Sequence, residues 1–198
     1  MKLIGLTGGI GMGKSAASAL LEKRGVAIID TDQLARDVVQ PGEPAWHEVQ
    51  RVFGPDAVGP DQQLRRDYLA SVVFAESAKR QQLEAILHPR IRERWVAGAA
   101  RWREEKRPIG AVVIPLLFET GAQREFDAIV CVACSGASQH SRLEQRGWSP
   151  EQIRRRLEAQ WPAEKKMERA HYVIWTEASM DVHAAQWERV LKKLSGDE

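Results

Sequence analysis

Three groups of residues in this sequence have types and spacings that could do chemistry. The first is Gly8-Gly9-Ile10-Gly11-Met12-Gly13-Lys14-Ser15, which matches G-x-x-x-x-G-K-[ST] at every fixed position. Glycines let the backbone take positive φ and turn consecutive N–H groups onto phosphate oxygens. A helix beginning there adds its partial positive charge. Lys14 would reach the β- and γ-phosphates of a nucleoside triphosphate, and the Ser15 hydroxyl would take a place on Mg²⁺. The bland alternative, a glycine-rich turn with a chance lysine, needs motif and context to coincide by accident.

The second group is Asp30-Thr31-Asp32. In an extended segment, residues two apart point the same way, so both carboxylates could face one ligand. A carboxylate there could accept the proton of an attacking hydroxyl or hold magnesium through water. The competing reading makes Asp32 the N-cap of a helix over Gln33–Val38. The third group is cationic: Arg142, Arg146, Arg154, Arg155 and Arg156 lie close together. Arg142 and Arg146 are four apart and share a helix face, where they could either meet phosphates or simply be solvated.

These groups need elements to hold them. Lys2–Leu6 is a short apolar run reading as a buried strand. Ser15–Arg24 has helical spacing and stops at Gly25, and Val26–Ile29 reads as a second strand. Strand, glycine loop, helix, strand is a βαβ unit, which implies a parallel sheet with right-handed crossovers. Ligands of such sheets sit beyond the carboxyl ends of the strands, which is where both the glycine loop and Asp30-Thr31-Asp32 fall.

From Trp46 the pattern is helical: Trp46–Phe53, Arg65–Phe74, Lys79–Leu87 and Ile91–Glu105, with a Gly/Pro loop at Gly54–Pro60. His88-Pro89 reads as a break between the last two, because proline disfavours helix at the residue before it. Strands return at Ile109–Leu117 and Asp127–Ala133. Ser138–Arg169 is helical and broken at Gly147 and Pro150; Tyr172–Trp175 is a last strand and Met180–Leu194 a closing helix. Phe74 and the seven tryptophans read as packing residues by default.

Composition narrows the class. Net charge is +2, from 29 basic and 27 acidic residues, which gives no global argument for nucleic acid. No apolar run reaches the ~18 residues of a membrane span, and the N-terminus has no signal-peptide h-region. Cys131 and Cys134 read as buried strand thiols, consistent with a reducing, cytoplasmic compartment. The chain contains no asparagine, so the Asn-Lys-x-Asp guanine motif of a GTPase is absent. The strand Ala111-Val112-Val113-Ile114 ends in Pro115, its nearest carboxylate being Glu119, unlike the strand-terminal carboxylate of a motor or transporter ATPase. A small-molecule kinase remains, with an Arg-bearing lid that excludes water.

The chain as a whole resembles the dephospho-CoA kinase family. Ile4 to Gly11 with Gly13-Lys14-Ser15 is similar to that family's opening, and Ile29-Asp30-Thr31-Asp32 to its I-D-x-D. Arg66, Leu69, Val73-Phe74, Leu87-His88-Pro89-Arg90-Ile91, Pro115-Leu116-Leu117-Phe118-Glu119, Gln139, Arg142-Leu143, Arg146 and Gln160 continue the match in order. The resemblance implies a three-layer α/β P-loop NTPase fold. Residues 1–42, 108–136 and 170–198 would form the nucleotide-binding core, 43–107 a helical substrate subdomain, and 137–169 an Arg-rich lid.

It also implies roles. The activity would be ATP-dependent phosphorylation of dephospho-CoA. Asp32 would be the general base, Lys14 and Arg142 the catalytic cations. Gly8, Gly9, Ile10, Gly11, Met12, Gly13, Lys14, Ser15, Ala16, Arg142 and Arg146 would hold ATP. Ser15, with Asp30 as second candidate, would hold Mg²⁺. Thr7, Asp32, Arg66, Phe74, His88, Pro115 and Leu116 would hold dephospho-CoA. No nucleic-acid or membrane partner is implied, and a monomer is expected, with a weak oligomer as the alternative. Two departures stand out: Ala170-His171-Tyr172-Val173-Ile174-Trp175-Thr176 carries histidine and threonine where the family run A-D-x-x-I-x-N has aspartate and asparagine, and no side-chain role transfers to either. Rival readings are another small-molecule P-loop kinase, or an ATP-binding module that uses the basic stretch on nucleic acid.

Overall fold

The computed structural model describes residues 1–196; the last two residues of the expected 170–198 core segment lie outside the described residues. Five strands, β1 (Lys2–Thr7), β2 (Ala27–Asp30), β3 (Ile109–Val113), β4 (Ala128–Ala133) and β5 (Tyr172–Trp175), form one sheet in the order β2-β3-β1-β4-β5. β1 pairs in parallel with β3 and with β4, placing Leu6 beside Val113 and Thr7 beside Cys131. β3 and β4 are buried along their whole length, as their unbroken apolar runs require of strands covered on both faces.

The helices are α1 (Lys14–Glu22), α2 (Thr31–Asp37), α3 (Pro44–Phe53), α4 (Arg66–Ala75), α5 (Ser77–Glu104), α6 (Gly136–Glu144), α7 (Pro150–Glu158), α8 (Ala163–Arg169) and α9 (Met180–Ser195). The chain forms two compact units, Met1–Ile29 with the chain from Arg101 onward, and Asp30–Ala100. In the first, Ala17, Leu20 and Leu21 of α1 and Trp187 and Val190 of α9 pack on Ile4, Leu6, Val113, Val130, Val132 and Ile174 of the sheet. Each leucine, isoleucine and valine among them contributes about 1.5–3 kcal/mol by burial. In the second, Ala45, Val49 and Phe53 of α3, Leu69 of α4 and Ile86 of α5 form a separate small core.

Two expectations fail here. The helix break at His88-Pro89 is absent: α5 runs through Pro89. A proline inside a helix removes one N–H and crowds the carbonyl four residues back. The turn is buttressed instead by side chains. Arg90 donates to the Ile86 carbonyl at 2.6 Å and to Glu48 at 2.7 Å, and Arg94 donates to Glu43 at 2.6 Å. Phe74 is not a packing residue, being 65% exposed.

The outer strand β5 carries a further detail. The Gln186 carboxamide accepts from the Trp175 N–H and donates to the Trp175 carbonyl, both at 2.9 Å. Val173 and Trp175 of that strand are exposed.

Candidate active site

The glycine loop leaves β1 at Thr7 and enters α1 at Lys14. Gly8, Gly11 and Gly13 have φ of 148°, 76° and 93°. At Gly8 the need for glycine is absolute, because a Cβ would lie 2.4 Å from the Val132 carbonyl oxygen. Gly13 stands before the first turn of α1 with no side-chain cap, and a helix start of this kind presents its N–H groups and partial positive charge to an anion. Lys14 Nζ donates to the Gly8 and Gly9 carbonyls at 2.8 and 3.0 Å, which stations its charge over the loop. Ser15 is exposed at the start of α1.

The loop is held from outside by residues remote in sequence. Gln139 of α6 donates to the Ile10 carbonyl at 2.7 Å, and the Ile10 N–H donates to Gln160 Oε1 at 3.2 Å. Met12 packs against Ala133, Cys134, Ala163 and Met167. Thr176, which follows β5, is buried, and its one hydroxyl proton is shared between the Met12 and Ala133 carbonyls at 3.1 and 3.2 Å. Arg142 of α6 donates to Thr176 Oγ1 at 2.9 Å and to the Thr176 carbonyl at 2.5 Å, with the Gly11 carbonyl at 3.5 Å. Arg142 is therefore brought to the loop, half-buried, whereas Arg146 lies past the end of α6, exposed.

Around these groups the electrostatics are set by burial and by hydroxyl donors. Burial pushes the Cys131 thiol up to about 11, against the pull of Lys166 and Lys14. Burial also raises Cys134 and lowers His183, whose Nε2 accepts from Trp187 Nε1 at 3.2 Å. The Ser135 and Ser138 hydroxyls hold the Glu177 carboxyl down to about 2, and Trp175 Nε1 and the Ser135 amide add to them. That carboxylate ties the loop after β4 to the loop after β5 at the start of α6.

The expected substrate residues divide. Thr7 is buried and its hydroxyl donates to the Pro115 carbonyl at 3.3 Å, so these two meet at the ends of β1 and β3; Leu116 beside them is half-buried. Within Asp30–Ala100, Arg66 lines a pocket of about 490 Å³ whose walls include Val39, Leu64, Leu69, Val73 and Leu87, with Gln40 and Gln63 at hand. Phe74 and His88 are exposed and are not among the residues lining this pocket.

Of the two carboxylates after β2, Asp30 and not Asp32 supplies the helix cap. The helix after β2 begins at Thr31, and its N-cap is Asp30, whose Oδ1 accepts from the Asp32 N–H at 2.8 Å. Asp32 is not the cap, because it already lies inside the first turn. For the same reason the two carboxylates do not share the common direction of an extended strand. Asp32 is exposed.

Sequence reasoning missed Lys166, Thr176 and Glu177 as parts of this arrangement. Lys166 sits in Glu164-Lys165-Lys166-Met167-Glu168-Arg169, a run that reads as a solvated face; only packing shows that one of its charges is buried. Gln139 and Gln160 had a signal, since both belong to the ordered match.

A glycine loop joining a central parallel strand to an uncapped helix N-terminus, with a lysine over it and an arginine brought in from a later helix, defines a P-loop kinase. The comparisons specify which. The dephospho-CoA kinase family model matches residues 2–181. The dephospho-CoA kinase of Symbiobacterium thermophilum is 38% identical over 199 residues, covering 100% of this chain and 83% of the relative. That of Anaeromyxobacter dehalogenans is 39% identical, covering 99% and 93%. A Thermus thermophilus crystal structure superposes with TM-score 0.85 at 34% identity, covering 98% and 97%. The chain belongs to the dephospho-CoA kinase family, and its activity is ATP-dependent phosphorylation of dephospho-CoA to coenzyme A, the last step of coenzyme A biosynthesis.

Proposed function

We propose how this chain divides the work of that reaction. The loop Gly8–Ser15, with Ala16 behind it, holds the ATP phosphates through its amides. Lys14 exchanges its two loop carbonyls for phosphate oxygens, and Arg142, anchored by Thr176 beside Gly11, offsets charge from the other side. The observation that carries this reading is the loop's form: positive-φ glycines feeding an uncapped helix N-terminus. Phosphoryl transfer asks little covalent work of a protein, so positioning and charge neutralisation supply most of the rate.

A magnesium ion carried by the nucleotide would neutralise developing charge between the phosphates. The exposed Ser15 hydroxyl is an oxygen donor of the kind this hard cation takes. Asp30 is the weaker candidate, because one of its oxygens already accepts the Asp32 amide. Asp32 accepts the proton of the attacking ribose hydroxyl.

In Asp30–Ala100, the pocket beside Arg66 has the size and apolar lining of a small-molecule site. It holds the pantetheine arm of dephospho-CoA, with Gln40 and Gln63 facing its amides and Arg66 a phosphate. Phe74, His88, Pro115 and Leu116 are further contacts of the same substrate. The enzyme acts as a monomer in the cytoplasm, without nucleic-acid partners; its two free, buried cysteines suit a reducing compartment, and no helix among the described residues is long and apolar enough to cross a membrane.

The test is ADP release from ATP and Mg²⁺ with and without dephospho-CoA, in the parent chain and in Arg66→Ala. Release should depend on dephospho-CoA with coenzyme A formed in equal amount, and Arg66→Ala should raise the KM for dephospho-CoA and leave that for ATP unchanged. An unchanged KM for dephospho-CoA removes Arg66 and its pocket from the substrate site.

A further inference from the structure

Lys166 is a cation without contact to water: its side chain is 0% exposed, on a short helix whose other charged residues face outward. Taking an ammonium out of water costs more than its partners return unless they are well placed, so the choice of partners is informative. Nζ donates to the Pro115 carbonyl at 2.6 Å and pairs with Glu119 Oε1 at 2.8 Å. Both acceptors belong to the connection that follows β3.

Each acceptor has a second donor, and both lead to the phosphate loop. The Pro115 carbonyl also accepts from Thr7 Oγ1 at 3.3 Å, and Thr7 is the residue before Gly8. Glu119 Oε1 also accepts from the Trp161 N–H at 2.9 Å, and the neighbouring Gln160 accepts from the Ile10 N–H at 3.2 Å. Taken in order, Thr7, Pro115, Lys166, Glu119, Trp161, Gln160 and Ile10 close into a ring. The backbone Thr7-Gly8-Gly9-Ile10 is its last side. Phe118 stacks on Trp161 with centroids 6.1 Å apart and planes within 5°, which fixes the side of the ring opposite the loop.

We propose that Lys166 is a positioning residue for phosphoryl transfer. It fastens the Pro115–Glu119 connection and the Gln160–Trp161 segment to the two ends of the stretch Thr7–Ile10, so that the loop amides stand converged before nucleotide arrives. The glycines that permit the loop's shape also permit many others, and ordering them costs conformational entropy. A ring that orders them in the free protein removes that cost from ATP binding and from the transition state. The inference rests on the reading that Gly8–Ser15 holds the ATP phosphates.

Removing Lys166 alone would strand a partly buried carboxylate, so the informative change is Lys166→Met together with Glu119→Gln. This neutral pair keeps an acceptor for the Trp161 N–H. Gln160→Leu opens the ring at its other end and touches no buried charge. ATP affinity by titration calorimetry, KM and kcat, and Tm are measured for both, for their combination, and for Lys14→Ala. Each opening should weaken ATP binding roughly 5- to 10-fold, the lower part of the range for coupled sites, with Tm within a few degrees of the parent. The combination should weaken it no more than about tenfold, since members of one network are not additive. Effects that multiply in the combination overturn the ring. Unchanged affinity in both openings, with Lys14→Ala weakened, overturns the positioning role. Unchanged affinity in Lys14→Ala as well overturns the phosphate-loop reading beneath it. If the neutral pair does not fold, Gln160→Leu carries the prediction alone, and unchanged ATP affinity in it overturns the proposal.

Discussion

Arg142 grips Thr176 twice, at the hydroxyl from 2.9 Å and at the carbonyl from 2.5 Å, while the same hydroxyl donates to the Met12 carbonyl in the phosphate loop. Threonine thus stands where the family run has asparagine and still links Arg142 to the loop. Thr176→Val removes the hydroxyl and keeps the shape. It should cost about 1–3 kcal/mol of stability, the penalty for orphaning buried hydrogen-bonding groups, and should raise the KM for ATP. Urea unfolding and steady-state kinetics read the two effects. A variant with parental stability would show that the hydroxyl carries no weight.

Asp32→Asn should keep ATP affinity and lose turnover by roughly 10²–10⁴-fold, the usual worth of a general base. Calorimetry and coenzyme A formation separate the two quantities. Near-parental turnover would leave the exposed carboxylate without a catalytic role.

Glu177 gives an acid signature. Its carboxyl is held down to about 2 by the Ser135 and Ser138 hydroxyls, from an ordinary value of 4.5. A depressed folded-state value means that the unfolded chain takes up the proton first. The stabilisation is therefore complete above about pH 4.5 and is lost as pH falls through about 2. The Tm difference between the parent and Glu177→Gln should be constant from pH 8 to 5 and shrink below pH 4.5. A difference that does not change with pH removes the carboxylate as its source.

His183 gives a signature nearer neutrality. Burial lowers its value from 6.5, and the charge of Arg142 lowers it further. Here too the unfolded chain binds the proton first, so stability is complete above about pH 6.5 and declines below it. The parent Tm should fall between pH 7 and 5, and His183→Gln should flatten that slope. An equal slope in both proteins would assign it elsewhere.

Cys131 should behave as an inert thiol. Burial pushes it up to about 11, so at pH 8 it is neutral and shielded, and the thiolate is the reactive form. A chromogenic disulfide reagent at pH 8 should find it unreactive in the folded protein and reactive in urea. Rapid labelling of the folded chain at Cys131 would contradict its place in β4.

Much of this was legible beforehand. The phosphate loop is local in sequence, so its glycines, lysine and flanking strand and helix announce it. The strands β3 and β4 show as unbroken apolar runs. What sequence alone obscured depends on partners remote along the chain. Pro89 reads as a break because its local penalty is visible, while the Arg90–Glu48 and Arg94–Glu43 pairs that buttress the turn are 42 and 51 residues apart. The cap falls on Asp30 rather than Asp32 because the helix starts at Thr31, two residues before Gln33, and boundaries are the least determined feature of a periodic pattern. Phe74 reads as core from its type, yet it faces outward. Lys166 reads as surface for the same kind of reason: residue type reports average burial, and a buried cation is the exception that specific acceptors permit.

The clasp of Gln186 on Trp175 bears on how the molecule avoids sticking to itself. β5 is an outermost strand with exposed apolar side chains, the kind of border onto which a stray strand can template and seed aggregates. By occupying both the N–H and the carbonyl of Trp175, one carboxamide denies an incoming chain its first rung there. Gln186→Ala should leave catalysis alone and shorten the soluble lifetime of the concentrated protein, which light scattering over time would read.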